Sequence, residues 1–241
     1  MAEEEPVFET TTGPPRIITA ASLFDGHDAA INVMRRLIQS AGAEVIHLGH
    51  DQSAKAVVDC AIQEDAHGVA LTSYQGGHVE YFTYIRQLLD EAGCKHIRIF
   101  GGGGGTITPP EIKTLHESGI SKIYSPDDGR TMGLMGMIHH LMGIASEVDL
   151  IHPDRIASLS GPVTPEDTAK VGLLLTMSES ADDKTFKSTL EKCRSSEKEV
   201  PVIGFTGTGG AGKSSLLDEL MLRILRDNPG KKVCLLCVDP T

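Results

Sequence analysis

Short apolar runs alternate with amphipathic patterns along residues 16–142 of the chain. A short continuous apolar run is typical of a buried strand, whereas apolar residues spaced three and four apart are typical of one helix face. This pattern predicts strands at Ile17–Ser22, Glu44–Leu48, Gly68–Thr72, Ile97–Phe100 and Lys122–Tyr124. The predicted helices are Ala29–Ala41, Ala54–Glu64, Val79–Ala92, Pro109–Ser118 and Arg130–Met142.

The first predicted helix shows the helical spacing most clearly. Its apolar face consists of Ala30, Val33, Met34, Leu37, Ile38 and Ala41. Strands that are apolar throughout and are separated by helices predict a parallel sheet covered on both faces, with right-handed crossovers. Residues 16–143 are therefore predicted to form a doubly wound α/β domain with a five-stranded parallel sheet.

The segments on either side of this domain have different patterns. Residues 1–15 are acidic and lack the basic start and apolar centre of a signal peptide, so they are predicted to be a flexible tail. Residues 144–199 hold no clear strand pattern. Within them, Thr164-Pro165-Glu166-Asp167 is typical of a helix start, and a second charged helix is predicted at Asp182–Arg194. We expect a helical linker over residues 144–199.

A new strand and helix pattern begins at residue 200. Strands are predicted at Val202–Thr206 and Val233–Val238, on either side of a helix at Leu216–Leu225. The apolar stripe of that helix consists of Leu216, Leu217, Leu220, Met221, Ile224 and Leu225. Two strands and one helix cannot bury a doubly wound sheet, so residues 200–241 are expected to be the start of a larger α/β domain.

Composition and charge narrow the range of partners. The formal net charge of -11 provides no general basic surface for a phosphate backbone, so we expect no nucleic-acid partner. No apolar stretch approaches the length needed to cross a bilayer, and no membrane partner is expected. The five cysteines are odd in number and scattered, which favours a reducing cytoplasmic location over a disulfide framework.

Candidate chemistry begins directly after the first predicted strand, at Asp25-Gly26-His27. In an open α/β sheet, ligands bind outside the carboxyl ends of the strands. An aspartate two residues from a histidine can accept the proton of one imidazole nitrogen, which leaves the other nitrogen free to ligate a metal. The alternative is a loop histidine that is hydrogen-bonded to a neighbour, and the triplet alone leaves both interpretations open.

Two more loops are predicted at the same edge of the sheet. Ser73-Tyr74-Gln75 follows the third strand, and Gly101–Gly105 follows the fourth. Consecutive glycines remove side chains that would obstruct a bulky planar group, and they allow the backbone to approach a ligand closely. A flexible linker is the alternative interpretation, but it fits poorly between a strand and the helix start at Pro109-Pro110. The sequence therefore predicts a deep slot.

Through the residues of these three loops, the segment 16–142 resembles the cobalamin-binding domain of the methylmalonyl-CoA mutase group, which has a flavodoxin-like (Rossmann-type) fold. The family pattern is D-x-H-x-x-G, followed by a serine motif and a glycine pair. Asp25, Gly26 and His27 lie at the first motif, Ser73, Tyr74 and Gln75 at the second, and Gly101, Gly102 and Gly103 at the third. Ala30 stands where the family has glycine, and Gln75 where many members have leucine, which suggests a divergent branch.

This resemblance implies a cofactor and a binding mode. The cofactor would be adenosylcobalamin, with His27 as the axial ligand of cobalt in place of the cofactor's own benzimidazole. The displaced tail of the cofactor would enter the slot lined by Ser73 and the glycines. His47, His50, His78, His139 and His140 have no comparable context and are expected to be ordinary surface or core histidines.

A second constellation lies between the last predicted strands. Gly207-Thr208-Gly209-Gly210-Ala211-Gly212-Lys213-Ser214 matches the phosphate-loop pattern at every fixed position, with Ser215 directly after it. In such a loop the backbone amides cradle the phosphates, Lys213 reaches the outer two, and Ser214 holds Mg²⁺. Asp239 follows the next predicted strand and is a candidate second contact to Mg²⁺, with a solvated turn acid as the equal alternative.

This part of the chain resembles the G-protein chaperones that escort cobalamin to acyl-CoA mutases, on Gly204–Ser215 and Cys237–Thr241. A cobalamin domain, a linker and such a domain in one chain are similar to the fused isobutyryl-CoA mutases. The resemblance implies binding of GTP and Mg²⁺, an acyl-CoA substrate bound by a (β/α)₈ barrel outside this chain, and a homodimer of the whole protein.

Three functions remain open from the sequence. The first is the amino-terminal part of a radical isomerase that interconverts isobutyryl-CoA and n-butyryl-CoA, with a fused GTPase that assists cofactor loading. The second is a cobalamin carrier or sensor with a nucleotide switch and no mutase activity. The third is a generic receiver-like domain joined to an NTPase, since one fold serves many functions.

Overall fold

The computed structural model of the chain describes residues 6–164, 166–194 and 200–238. They fall into two compact units, residues 1–196 and 197–241. The strands of the first unit are β1 (Arg16–Ser22), β2 (Glu44–Gln52), β3 (Gly68–Thr72), β4 (Arg98–Gly102) and β5 (Lys122–Tyr124). Its helices are α1 (Asp28–Ser40), α2 (Ala54–Gln63), α3 (His78–Glu91), α4 (Pro109–Glu117), α5 (Pro126–Ser146), α6 (Pro153–Ser158), α7 (Thr168–Ser180) and α8 (Asp183–Cys193).

The five strands form one parallel sheet in the order β2-β1-β3-β4-β5. Side chains alternate between its two faces, so that Ile18 and Val69 enter the core under α2, α3 and α4, whereas Ile17 and Ala70 enter the core under α1 and α5. The chain order and the two covered faces confirm the predicted flavodoxin-like α/β fold.

Several element boundaries differ from the predicted ones. β2 continues to Gln52, because two irregularities in its ladder with β1 let it run four residues past the predicted end at Leu48. α5 begins at Pro126 and not at Arg130, because Ser125 and Asp128 form a capping box there. Gly133 interrupts this helix with φ of 69° and ψ of 171°, a conformation open to glycine.

One residue of the predicted face of α1 is placed differently. Val33 is 51% exposed, and Ile31 is buried instead. The helical spacing puts Val33 at the rim of the apolar face, where it borders the cavity described below.

Residues 6–15, predicted to be a flexible tail, include a turn from Thr10 to Gly13 that contacts the sheet domain. The Nδ1 atom of buried His67 accepts a hydrogen bond from the amide of Arg16 at 2.9 Å. Its Nε2–H group points to the hydroxyl oxygen of Thr10, with 3.2 Å between nitrogen and oxygen. Burial, together with the charge of Arg16, lowers the pKa of His67 to about 4.

The depressed pKa of His67 predicts acid sensitivity. Below pH 6.5 the unfolded chain protonates this ring and the folded chain does not, so the free energy of unfolding falls as the pH drops from about 6.5 to about 4. The loss is on the order of 3 kcal/mol. We expect His67→Asn, which keeps an acceptor for the Arg16 amide, to show a shallower dependence in urea unfolding measured between these pH values. Identical slopes for the two proteins would contradict this expectation.

The predicted helical linker contains α6, α7 and α8, which share a small core around Leu173 and Met177. α7 packs against α2, and Gly172 allows the close approach, because a Cβ there would lie 2.9 Å from the carbonyl oxygen of Ile62. Arg155 of α6 pairs with the buried Asp65 at 2.6 Å. The helix start predicted at Thr164–Asp167 is wrong by about one turn, because α7 begins at Thr168 and the Asp167 carboxylate accepts hydrogen bonds from the amide and hydroxyl of Thr164. Pro165 lies outside the described residues.

The second unit contains helix α9 (Lys213–Asp227). The predictions of strands at 202–206 and 233–238 are wrong for the residues the structure describes, since neither run pairs with another segment there. A strand needs ladder hydrogen bonds from a neighbour, and without them Val202 and Leu236 are 93% and 85% exposed. On α9, Leu216 and Leu225 of the predicted apolar stripe are also exposed. In the described part of the chain, no helix combines the length and apolar character of a membrane span.

Candidate functional site

The loop after β1 is built around the buried carboxylate of Asp25, which is 0% exposed. Its Oδ1 accepts hydrogen bonds from the His27 amide at 2.9 Å and from His27 Nδ1 at 2.7 Å. Its Oδ2 accepts a hydrogen bond from the Tyr74 amide at 2.6 Å. One carboxylate therefore joins the loop after β1 to the loop after β3.

The charge state of Asp25 follows from these contacts. Burial acts to raise the pKa of the carboxyl group, but the hydrogen bonds from the Tyr74 and His27 amides and from the His27 ring outweigh it, so the pKa lies below its ordinary value. Asp25 is thus a carboxylate near neutral pH, and the proton between it and His27 resides on Nδ1. In a neutral imidazole this leaves the lone pair of Nε2 free.

The His27 ring faces outward from this anchor. Its side chain is 62% exposed, although its Nδ1 atom is held by a fully buried partner. The Tyr74 ring lies beside it, with 5.4 Å between ring centroids and a tilt of 46°. The structure therefore presents a fixed tautomer of an accessible imidazole, which is what a metal ligand requires.

Ser73, the first residue of the serine motif, directly precedes Tyr74. The Ser22 hydroxyl donates to the Ser73 hydroxyl at 2.9 Å, and both side chains are buried between β1 and β3. Gln75 is exposed, and its backbone carbonyl oxygen accepts a hydrogen bond from His78 Nδ1 at 3.3 Å. The structure thus brings Ser73, Tyr74 and the Asp25–His27 loop together, as the sequence predicts, but it buries the Ser73 hydroxyl against a serine that the sequence did not single out.

The glycines at the end of β4 and directly after it serve two different purposes. A Cβ on Gly101 would lie 2.5 Å from the Phe82 ring, and a Cβ on Gly103 would lie 2.0 Å from the carbonyl oxygen of Ser73. These two glycines are required by the protein's own packing. A Cβ on Gly102 meets only the carbonyl oxygen of Tyr124, at 3.6 Å, so this position has room for a side chain.

Gly102 borders a cavity of about 590 Å³ at the carboxyl ends of β3 and β4, between α1 and α5. Its walls are mainly apolar and have few polar side chains. The lining includes Ala30, Val33, Met34, Thr72, Tyr74, Phe100, Gly101, Gly102, Gly103, Gly104, Tyr124, Ser125, Leu134 and Met137. The sequence analysis did not predict the walls from α1 and α5, because Val33 and its neighbours on α1 read as an ordinary apolar face and only the structure shows Val33 to be exposed.

The phosphate loop of the second unit wraps around the start of α9. Lys213 Nζ donates to the carbonyl oxygens of Gly207 and Thr208 at 2.8 and 2.9 Å. Gly210 and Gly212 adopt φ of 74° and 80°, which side chains disfavour. The loop residues Gly207, Gly209, Gly210, Ala211 and Gly212 lead into Ser214 and Ser215 in the first turn of the helix. Backbone amides at a helix start lack intrahelical acceptors, so this turn is suited to bind an anion such as a phosphate group. Asp239 lies outside the described residues.

Other metal chemistry has little support in the described residues. Among them, no three His, Cys, Asp or Glu side chains come together in a way that could hold a metal ion. Cys234 and Cys237 are free and exposed. His27 would act as a single axial donor, which needs no such cluster.

Comparisons with known proteins agree with both constellations. The family model of the B12 binding domain matches residues 15–123, and the model of the methylmalonyl Co-A mutase-associated GTPase MeaB matches residues 171–241. The fused isobutyryl-CoA mutase of Geobacillus kaustophilus (strain HTA426) is 49% identical over 233 residues, covering 94% of this chain and 21% of that protein. The chain therefore spans about a fifth of the length of this relative.

Two further similarities concern the first unit. The 2-hydroxyisobutanoyl-CoA mutase small subunit of Aquincola tertiaricarbonis is 34% identical over 115 residues, covering 47% of this chain and 82% of that subunit. A crystal structure of a cobalamin-binding protein from Desulfitobacterium hafniense DCB-2 aligns with a TM-score of 0.46 and 17% identity, over 54% of this chain and 59% of that one.

Proposed function

This chain belongs to the fused isobutyryl-CoA mutase family, and we propose that its residues 16–143 bind adenosylcobalamin with His27 Nε2 as the axial ligand of cobalt. The observation that carries the proposal is the 2.7 Å hydrogen bond from His27 Nδ1 to the buried Asp25. It fixes the tautomer that leaves Nε2 free, on a ring that is 62% exposed. Asp25 and Gly26 complete this ligand loop.

We propose that the displaced nucleotide tail of the cofactor occupies the cavity between α1 and α5. The fit is supported by the apolar walls, by a volume of about 590 Å³, and by Gly102, whose missing side chain would otherwise project into it. Tyr74, Gly101 and Gly103 also line this cavity, whereas Ser73 and Gln75 lie beside Tyr74 in the loop after β3 and do not line it.

Filling the cavity tests this assignment. Gly102→Val places a branched side chain where the structure has room, so we expect a stable protein that binds cobalamin at least about tenfold more weakly. Binding of cobinamide, which lacks the nucleotide tail, should change little. Absorbance titrations with both corrinoids measure this difference. If the variant binds both corrinoids equally weakly, or binds cobalamin as tightly as the wild type does, the proposal that the tail occupies this cavity is wrong.

When bound, adenosylcobalamin supplies a carbon radical through homolysis of its cobalt–carbon bond. Residues of this chain hold, orient and shield the cofactor, and none of them is proposed as an acid or base. We propose that the whole protein interconverts isobutyryl-CoA and n-butyryl-CoA, with the acyl-CoA bound by a domain outside this chain. The supporting observation is the 49% identity to a fused isobutyryl-CoA mutase. To test this activity, the full-length protein is incubated with isobutyryl-CoA, the acyl-CoA products are hydrolysed, and the released acids are separated by gas chromatography. If no n-butyric acid is formed, a carrier or sensor is the better interpretation.

We propose that residues 200–241 are part of a GTPase domain that assists cofactor loading, joined to the cobalamin domain by the helical segment 144–199. The loop Gly207–Ser214 would hold the phosphates of GTP, with Ser214 and, as a prediction, Asp239 on Mg²⁺. The support is the match of residues 171–241 to the MeaB family and the pre-formed loop around Lys213.

Lys213→Ala tests the nucleotide site in the full-length protein. Removing the cation that bridges the loop carbonyls and the outer phosphates should weaken binding of GTP at least about a hundredfold. Lys232→Ala, which changes an exposed lysine outside the loop, serves as the control. Isothermal titration with a non-hydrolysable GTP analogue measures both variants. Unchanged affinity in Lys213→Ala would contradict the proposed site.

We further propose a cytoplasmic location, which is supported by five free cysteines. A homodimer of the full-length protein stays a prediction, and light scattering of the purified protein would test it.

A further inference from the structure

Phe24, directly before the buried Asp25, has an unusual backbone conformation. Its φ of 63° lies in the left-handed region, which bulky side chains rarely adopt, and its side chain is 79% exposed. A strained residue of this kind persists only where its surroundings impose the conformation, and such residues cluster at functional sites. Packing of the Phe24 ring against other described residues does not explain the strain, because most of this residue faces solvent.

Asp51 imposes the conformation from the neighbouring strand. Its Oδ1 atom accepts a hydrogen bond from the Phe24 amide at 2.7 Å, and Asp51 is itself left-handed, with φ of 56°. Asp51 reaches this position because β2 gains an extra residue at two places in its ladder with β1, where Ala20 pairs with Gly49 and Ser22 pairs with Gln52. Irregular strands of this kind re-aim side chains next to binding sites.

The ligand loop is thus anchored on two sides. The amide of Phe24 is held by Asp51, and the carboxylate of Asp25 is held by the Tyr74 amide. Among the described residues of the loop from Leu23 to His27, the most exposed bulky residues are Phe24 at 79% and His27 with its side chain at 62%, and Leu23 is less exposed at 39%. A flat apolar group ligated by His27 would cover this part of the sheet edge, and the exposed aromatic ring is the side chain of the loop that gains most from being covered.

We propose that Asp51 is a positioning residue for His27, and that the Phe24 ring contacts the corrin macrocycle. The inference rests on the proposed role of His27 as the cobalt ligand. Asp51 acts through the Phe24 amide to hold the loop, and Phe24 contributes apolar contact to the bound cofactor.

Phe24→Gly tests the contact of the ring. Glycine adopts positive φ freely, so this variant relieves strain and should unfold at a temperature no lower than the wild type. We expect the affinity for cobalamin to fall about tenfold while the histidine coordination seen by electron paramagnetic resonance is kept. Unchanged affinity would overturn the proposed contact.

Two variants at Asp51 test the positioning role. Asp51→Gly keeps a backbone that tolerates positive φ but removes the acceptor, whereas Asp51→Asn keeps both the left-handed tendency and an acceptor oxygen. We expect Asp51→Gly to lower cobalamin affinity about tenfold and to reduce the histidine-coordinated fraction of cob(II)alamin, and Asp51→Asn to restore both. Wild-type behaviour of Asp51→Gly, or failure of Asp51→Asn to restore coordination, would overturn the role of Asp51.

The same series separates this inference from the proposed function. Wild type and His27→Ala are titrated alongside the variants, and circular dichroism and thermal unfolding verify that each is folded. If the wild type binds no cobalamin, or His27→Ala leaves the spectrum unchanged, the proposed function fails and this inference with it. If these two behave as expected while Phe24→Gly and Asp51→Gly match the wild type, this inference alone fails.

Discussion

The electron paramagnetic resonance spectrum of cob(II)alamin bound to this protein is expected to show a nitrogen triplet splitting that disappears in His27→Ala. The wild-type splitting arises from an axial nitrogen donor, and labelling the protein with nitrogen-15 should convert the triplet to a doublet, since the donor belongs to the protein. The physical reason is the free Nε2 lone pair, which the Asp25 hydrogen bond at 2.7 Å fixes on an exposed ring. The affinity should fall at least about a hundredfold.

A matched control for this experiment is His50→Ala, because His50 is another exposed histidine near the end of β2. It should keep the labelled splitting and the wild-type affinity. If labelling the protein with nitrogen-15 leaves the splitting unchanged, the cofactor's own benzimidazole remains the ligand of cobalt. Either that result or loss of the splitting in His50→Ala in place of His27→Ala would refute His27 as the ligand.

The first unit could be predicted well from the sequence, because its signals are local and repeated. β1 and β3 are short, mainly apolar runs, and their positions within the buried sheet follow from that pattern. The pairing of Asp25 with His27 could also be predicted from the sequence, because the two residues are two positions apart and their hydrogen bond is formed within one loop.

Contacts between distant segments could not be predicted in the same way. The Ser22–Ser73 hydrogen bond, the Phe24–Asp51 hydrogen bond and the α5 wall of the cavity join residues that are far apart in sequence. They depend on strand register, and the extra residues of β2 change that register without an identifiable signal in the apolar pattern.

In the second unit the sequence pattern predicted two strands that the structure does not form among the described residues. Val202–Thr206 and Val233–Val238 have strand-like composition, but apolar composition describes what a sheet can accept and does not provide the neighbouring strand. The phosphate loop itself needs no such neighbour for its own hydrogen bonds, because Lys213 Nζ and the carbonyl oxygens of Gly207 and Thr208 lie within eight residues.

The glycine-rich loop after β4 yields the largest expected effect on stability. In Gly103→Ala the added Cβ would lie 2.0 Å from the carbonyl oxygen of Ser73 and 2.9 Å from Thr106 Oγ1. The closest obstacle is backbone and cannot rotate away, so we expect a loss of roughly 3 kcal/mol in the free energy of unfolding. In thermal unfolding this corresponds to a fall of roughly 10 °C in Tm.

Gly105→Ala is the matched control, because a Cβ at Gly105 has no atom within 4 Å and the residue lies in the same loop. Its Tm should stay within about 2 °C of the wild type, since an exposed substitution away from special contacts changes stability little. Equal stability of the two variants would show that the close approach of the Gly103 backbone to Ser73 is not needed. Gly103→Ala, unlike Gly105→Ala, should also weaken cobalamin binding, because moving Ser73 displaces the adjacent Tyr74 amide from Asp25 and releases the anchor of His27.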